Sequence, residues 1–135
     1  MRKERIDVAV IGAGTAGMAA FRRARAHTSS VLLIEGERYG TTCARVGCMP
    51  SKLLIAAAEA AHAARDAAGF GIAVDGVRVD GRAVLQRLRA ERDRFVRFVV
   101  EAVEAWPADQ RLLGRARFLD PHSLAVERDG MEIAR

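Results

Sequence analysis

The chain has 135 residues, half of them apolar, and this length and composition predict one folded domain rather than a disordered segment. Its net charge of +5 comes almost wholly from arginine. Acidic residues are mixed with these arginines and no aromatic residues alternate with them, so we expect no nucleic-acid partner. Neither an export signal nor a membrane-spanning run is recognisable, which predicts no membrane partner and a cytoplasmic location.

The first part of the chain predicts a βαβ unit. Residues 6–11 form a short apolar run typical of a buried parallel strand, and residues 15–26 are alanine-rich and favour a helix. A second apolar strand over residues 31–34 ends at Glu35. The unit has about thirty residues, as is usual for this motif, and its two strands should be parallel neighbours.

Helical patterns dominate the middle of the chain, and strands dominate its end. A helix is predicted over residues 51–68 with Gly69 as its C-terminal cap, and residues 71–81 read as a loop with a short extended piece at 77–79. A long helix over 82–106 carries an apolar stripe and ends before Pro107. Strands at 112–119, 123–127 and 131–134 predict a small antiparallel meander. The stripe consists of Val84, Leu88, Phe95, Val99, Val103 and Trp106.

A G-x-G-x-x-G pattern lies between the first predicted strand and helix, which is the context that dinucleotide binding requires. Gly12 permits the tight turn, Gly14 lets a pyrophosphate approach the backbone, and Gly17 allows close helix packing. Glu35, at the end of the second strand, suits a ribose and would repel a 2′-phosphate, so FAD or NAD is expected rather than NADP. The alternative is a glycine-rich turn without a ligand. The full pattern is Gly12-Ala13-Gly14-Thr15-Ala16-Gly17.

Cys43 and Cys48 are the only cysteines in the chain. In an ideal helix their Cα atoms would be roughly 8 to 9 Å apart, whereas a disulfide needs about 4.4 to 6.8 Å. Gly47 and Pro50 are expected to bend the backbone enough for a strained, reducible bond. The alternatives are two buried apolar thiols and, less favoured because no histidine is suitably spaced, a zinc site.

A helix is predicted to begin just after Cys48, and its positive end favours the thiolate form of this cysteine. Lys52 follows in the first turn of that helix. Because the chain uses arginine at nearly every other basic position, a compact ammonium group is expected to be required there, beside a thiolate or a reduced flavin.

These residues resemble the pyridine nucleotide-disulfide oxidoreductases of the lipoamide dehydrogenase, glutathione reductase and mercuric reductase type. The family pattern is Gly-Gly-Thr-Cys-x-Asn-x-Gly-Cys-x-Pro-Ser-Lys, and residues 40–52 follow it with two departures. Thr41 replaces the second glycine, and Arg45 replaces the asparagine. Ser51 and Lys52 are more similar to the lipoamide dehydrogenase and mercuric reductase branches than to glutathione reductase.

The resemblance implies an α/β fold, a Rossmann-like FAD-binding domain with a parallel sheet, a long helix and a small antiparallel meander. It implies that Cys48 faces the flavin, that Cys43 exchanges with an external disulfide, and that Lys52 assists them. The glycine pattern from Gly12 to Gly17, including Ala13, Thr15 and Ala16, and Glu35 would hold the ADP half of FAD, with Ala116 near the adenine. The set on the flavin side would comprise Thr41, Thr42, Gly47, Cys48 and Lys52.

By the same resemblance, residues 1–135 correspond to the N-terminal part of an FAD/NAD(P)-binding domain and are expected to be inactive alone. The whole enzyme would be a homodimer that uses NAD(H), at a site outside this chain, and acts on a small-molecule or lipoyl-type disulfide. A dihydrolipoamide dehydrogenase-like activity is the first expectation. A mercuric reductase-like parent and a truncated, non-catalytic FAD- or nucleotide-binding module are the alternatives.

Overall fold

The computed structural model describes residues 4–135. The chain separates into two compact units. The first takes in the chain up to Thr41 and again from Phe98 to Arg135, and the second is Thr42–Arg97. No helix in the described part of the chain is long and apolar enough to cross a membrane.

A three-stranded parallel sheet forms the centre of the first unit. Its strands are β1 (Val8–Ile11), β2 (Val31–Glu35) and β3 (Arg111–Leu113), in the order β1-β2-β3. Helix α1 (Thr15–Arg25) connects the first two strands. The predicted βαβ unit is therefore confirmed, with a first strand that begins two residues later than expected.

The central strand β2 is buried on both faces, which explains its uninterrupted apolar sequence. Alternate residues of a strand point to opposite faces. Val31 and Leu33 pack in a cluster with Phe21 of α1, whereas Leu32 and Ile34 pack in a second cluster on the other face. The first cluster also holds Ala13, Tyr39 and Val103, and the second holds Val126 and Ala134.

The single strand predicted over residues 112–119 is wrong, because Gly114 divides it between two sheets. β3 ends at Leu113 in the parallel sheet, and β4 (Arg115–Asp120) begins an antiparallel sheet with β5 (Ser123–Arg128) and β6 (Met131–Ala134). A Cβ atom at Gly114 would lie 2.6 Å from Val126 Cγ1 and 3.0 Å from Glu127 O. The chain can change sheets there only without a side chain.

The long helix α4 runs from Gly81 to Glu104, two residues short of the predicted end. Arg111 closes its C-terminus, since Nε donates to Trp106 O and Nη2 to Glu104 O, both at 3.0 Å. In the last turns of α4, Val103 is fully buried. Just beyond the helix the Trp106 ring lies 4.6 Å from that of Phe21, centroid to centroid. The end of the predicted stripe is thus core packing.

The second unit consists of α2 (Thr42–Val46), α3 (Cys48–Asp66), a 3-10 turn at Ala67–Phe70 and the first part of α4. Two boundaries differ from prediction. Helix α3 begins at Cys48 rather than residue 51, and the left-handed residue after the 3-10 turn is Gly71, with φ of 78°, rather than Gly69. Residues 72–80 contain no strand, so the piece expected to be extended at 77–79 pairs with no sheet.

Candidate nucleotide and disulfide sites

The glycine turn joins the end of β1 to the start of α1. Gly12 has φ of +99°, a value that favours glycine, and its N–H donates to Ile34 O at 2.7 Å. A Cβ atom at Gly17 would lie 1.8 Å from Gly12 O, so the helix can pack against the turn only through glycine. At Gly12 and Gly14 an added Cβ would meet no atom within 4 Å. The turn is therefore closely packed where Gly17 meets Gly12 O. It is open beside Gly12 and Gly14, where a phosphate would approach.

The N-terminus of α1 is available to an anion. Gly14 is its N-cap and provides no side-chain hydrogen bond, and the first turn of the helix contains no acidic residue. Met18 N–H donates to Gly14 O at 2.9 Å. This is the first hydrogen bond of the helix, so the N–H groups of the three residues before Met18 have no intrahelical acceptor. Such an arrangement is usual at a phosphate-binding helix end.

Glu35 is fixed at the mouth of this turn by backbone groups. Its Oε2 accepts a hydrogen bond from Ala13 N–H at 2.7 Å, and its Oε1 accepts from Glu37 N–H at 3.4 Å. The carbonyl of Glu35 accepts from Gly114 N–H at 2.8 Å. The amide of Ala13 is therefore used by the protein itself. The carboxylate keeps lone pairs that can accept hydrogen bonds from ribose hydroxyls.

A cavity of about 580 Å³ lies beside the end of β2 in the same unit. Gly114 and Arg115, the two residues before Ala116, line it, whereas Ala116 itself, which was predicted to lie near the adenine, pairs with Val126 in the antiparallel sheet. Sequence reasoning missed several other residues of this wall, because only the packing of the two sheets brings the β5–β6 turn to this position. The missed residues are Gly36, Glu37, Leu113, Glu127, Arg128, Asp129 and Gly130.

The two cysteines lie on either side of the break between α2 and α3. Gly47 has φ of −117°, so it does not adopt the left-handed conformation. The absence of a side chain at Gly47 instead allows its backbone to lie close to that of α2, since an added Cβ would lie 3.2 Å from Thr42 O and 3.4 Å from Cys43 Cα. Pro50 does not bend the chain as expected. It lies in the first turn of α3, where a missing N–H leaves no helical bond unmade.

Both cysteines are free thiols, with Cys48 exposed and Cys43 half-buried. A hydrogen bond with the Cys48 side chain raises the pKa of the Cys43 thiol. Burial and the negative charge of a Cys48 thiolate raise the Cys43 pKa further. Ser51 Oγ donates to Cys48 O at 3.0 Å and supports the first turn of α3. The two cysteine side chains are therefore close enough to interact, while the disulfide itself stays a prediction.

The predicted site residues are divided between the two units. The glycine turn, Glu35, Thr41 and Ala116 belong to the first unit. The second unit holds Thr42, Cys43, Gly47, Cys48 and Lys52. Lys52 and Thr42 are both exposed. Across residues 4–135 no group of three or more His, Cys, Asp or Glu side chains is arranged to hold a metal ion.

Comparison with known proteins decides the family. The model of the pyridine nucleotide-disulphide oxidoreductase family matches residues 6–118. The chain belongs to this family. It is 39% identical to a mercuric reductase of Shigella flexneri over 94% of the chain, and 34% identical to a dihydrolipoyl dehydrogenase of Bacillus subtilis over 93%. These matches span 23% and 28% of the two relatives, so the chain covers about a quarter of their length.

A solved structure of this family agrees with the fold. The Cu(II) complex of the HOCl-induced flavoprotein disulfide reductase RclA from Escherichia coli aligns with a TM-score of 0.61 and 28% sequence identity. The alignment covers 96% of this chain and 26% of that one. The predicted mixed α/β architecture, with a parallel sheet and a separate antiparallel meander, is confirmed by the structure and by this match.

Both departures from the family pattern fall beside the cysteines. Thr41, which stands where the pattern has glycine, has φ of +42°, and Gly40 before it has φ of +116°. A left-handed conformation costs an L residue roughly 1–2 kcal/mol. The chain therefore keeps at Thr41 a backbone conformation that glycine adopts without strain. Arg45, in place of asparagine, lies in α2 and is half-buried.

Proposed function

We propose that this chain is the FAD-binding part of an oxidoreductase that transfers electrons between NAD(H) and a disulfide through FAD and the Cys43–Cys48 pair. In the reducing direction, one NADH, one proton and one disulfide give NAD⁺ and two thiols, so electrons and atoms balance. One observation carries the proposal: Gly47 lets the chain pass close to Thr42 and Cys43 at the helix break, and the two cysteine side chains lie close enough for Cys48 to raise the pKa of Cys43. Two thiols so placed can form and open a disulfide.

The residues of the first unit fit an FAD molecule. The open space before Gly12 and Gly14, together with the free end of α1, would receive the pyrophosphate. Glu35 would accept hydrogen bonds from the adenosine ribose, and the cavity beside Gly114 would hold the adenine. When bound, FAD supplies two-electron transfer between a nicotinamide and a disulfide.

Within the cysteine pair, each sulfur has a distinct task. The pKa of Cys43 is raised, so the neutral form of this thiol is favoured in the reduced pair. Cys48, the first residue of α3, lies where the helix dipole favours negative charge. We therefore assign Cys48 to the flavin and Cys43 to exchange with the external disulfide. Lys52, one turn further along α3, would place its ammonium group beside the thiolate or the flavin.

FAD binding is tested by Gly14→Ala in the purified protein, followed by titration with FAD and by fluorescence anisotropy. The added methyl group enters space that is open in the protein, so we expect affinity to fall about tenfold, or about 1.4 kcal/mol. The fold should be retained. Gly81→Ala makes the same change where an added Cβ also meets nothing, and should leave affinity unchanged. Equal affinity in all three proteins would remove the glycine turn from the proposal.

The redox pair is tested on the same protein by mild oxidation with diamide followed by intact-mass measurement. We expect the loss of two hydrogen atoms and protection of both cysteines from alkylation. Cys43→Ala and Cys48→Ala should each abolish this loss without dimer formation under dilute conditions. If the native chain loses no hydrogen and retains two reactive thiols, the disulfide step is wrong.

A lipoyl-type disulfide is the substrate class that we propose first, supported by similarity to a dihydrolipoyl dehydrogenase. The somewhat higher identity to a mercuric reductase favours a second candidate, in which the same thiols bind a soft metal ion. Oxidised lipoamide and Hg(II) can be offered separately to the reduced protein. Disulfide formation with lipoamide supports the first function, and stable two-thiol capture of Hg(II) without exchange supports the second.

The NAD(H) site, the homodimer and the cytoplasmic location belong to the same proposal and stay predictions. The remaining alternative, an FAD- or nucleotide-binding module without turnover, also stays a prediction. Flavin binding without disulfide formation in the two experiments above would favour that module.

A further inference from the structure

One arginine joins the β5–β6 turn to the parallel sheet at the cavity beside β2. Nε of Arg128, the last residue of β5, donates to Leu113 O at 2.7 Å, and Nη2 of the same guanidinium group donates to the same oxygen. Both residues line the cavity. The apolar cluster around Val126 and Ala134, which packs the meander on β2, contains no residue from 127 to 131. Arg128 therefore holds the end of the hairpin that this cluster does not reach.

The tip of the hairpin is a short turn with a defined shape. Arg128 pairs with Met131, and the two residues between them, Asp129 and Gly130, have φ of +52° and +76°. Positive values at both positions are required by a type I′ turn, and an Asp-Gly pair favours this turn. Asp129 and Gly130 line the cavity. Because the turn has so few residues, the contact that holds its base also places this part of the cavity wall.

The acceptor of the Arg128 hydrogen bonds lies beside the residue that we assign to the ribose. Leu113 is the register partner of Glu35 in the parallel sheet, and Gly114 N–H donates to Glu35 O at 2.8 Å. The Glu35 carboxylate in turn accepts a hydrogen bond from Ala13 N–H. The bonds of Arg128 therefore fix the hairpin relative to the ribose acceptor, which borders the same cavity.

We propose that Arg128 is a positioning residue that holds the wall of the adenine cavity and so strengthens binding of the adenosine part of FAD. This role rests on the proposed function, in which the cavity receives the adenine. Without the two hydrogen bonds the hairpin would leave this position part of the time, and apparent affinity falls with the fraction of molecules that are competent to bind. The glycine turn and the end of α1, which would receive the pyrophosphate, contain no residue of the hairpin.

The role is tested with ADP and inorganic pyrophosphate, two probes that differ by the adenosine group, in calorimetric titrations of the purified chain. The dissociation constant of pyrophosphate divided by that of ADP measures how much adenosine strengthens binding. Arg128 is exposed, so its hydrogen bonds compete with water. In Arg128→Gln we therefore expect the ratio to fall about three- to tenfold, the range that a net hydrogen bond supplies. Pyrophosphate affinity should stay unchanged.

FAD itself and a conservative variant sharpen the test. Affinity of Arg128→Gln for FAD, from fluorescence anisotropy, should fall by the same factor as the ratio. Arg128→Lys keeps the positive charge and can donate to the same carbonyl, so it should recover most of the native ratio.

A second arginine of the same sheet is the matched control. Arg135 is exposed like Arg128, but its guanidinium group bonds within the meander, to Glu132 three residues earlier. Arg135→Gln removes the same charge and should keep the ratio within about twofold of the native value, since an exposed ion pair contributes little. Circular dichroism of each variant verifies that the fold is retained.

An unchanged ratio in Arg128→Gln, with FAD still bound by the native chain, overturns the role of Arg128 and leaves the proposed FAD site intact. Equal losses in Arg128→Gln and Arg135→Gln, or equal losses for ADP and pyrophosphate, also overturn it, because net charge or a general loosening would then be responsible. If the native chain binds neither FAD nor ADP, the proposed function is overturned as well.

Discussion

The two units of this chain differ in how they bury their apolar residues. In the first unit Phe21, Leu33, Ile34 and Val103 are almost completely buried. In the second unit, Ala44 is the only buried apolar residue among those that the structure describes, and large apolar groups such as Phe70 are exposed. The nucleotide turn is therefore built on a close-packed core, whereas the cysteines are held by short-range backbone geometry. Substitutions should affect stability in the first unit and reactivity in the second.

The sharpest test of this difference is the same substitution in both units. Phe21 is 0% exposed and packs against Trp106, so Phe21→Ala should lower the free energy of unfolding by about 3–5 kcal/mol. Phe70 is 85% exposed, and Phe70→Ala should change it by less than about 0.5 kcal/mol. Both values come from urea denaturation followed by circular dichroism. Comparable losses in the two variants would show that the second unit has a core of its own.

The sequence predicted the βαβ unit well because its signals are local. The apolar run of β2 and the positions of Gly12 and Gly17 depend on neighbouring residues, and the structure agrees with them. The start of α3 was predicted three residues late, because Pro50 was expected to bend the backbone, whereas it lies in the first turn of the helix. Local patterns thus predict which elements form better than where each one starts.

Tertiary packing decided what the sequence could not predict. Nothing in residues 111–120 shows that Gly114 ends one sheet and allows another to begin, since the space that excludes a side chain is filled by Val126. The part of the cavity wall that Asp129 and Gly130 form also depends on how the two sheets pack, which the local sequence does not show. For the cysteines, the spacing predicted proximity, and the raised pKa of Cys43, caused first by the Cys48 side chain, agrees with it.

A smaller effect is expected where the two units join. Thr41→Gly should raise the free energy of unfolding by about 0.5–1 kcal/mol, because relief of the left-handed strain outweighs the added freedom of the unfolded chain. Thr42→Gly, one residue later and inside α2, should lower it, because glycine weakens a helix. Thermal unfolding of the two variants checks the opposite signs. A loss of stability in Thr41→Gly would mean that the threonine side chain contributes more than its backbone costs.

The smallest effect concerns the protonation of Cys43. In the folded chain its pKa is raised, first by the hydrogen bond to Cys48, so the neutral thiol is favoured. The stabilisation is present at pH values below the ordinary cysteine pKa and is lost as pH rises through the raised value. Iodoacetamide alkylation of Cys43, followed against pH by mass spectrometry, should therefore show a lower midpoint in Cys48→Ala than in the native chain. If the midpoint stayed unchanged, the two thiols would titrate independently, and the distinct tasks assigned to them would lose their electrostatic basis.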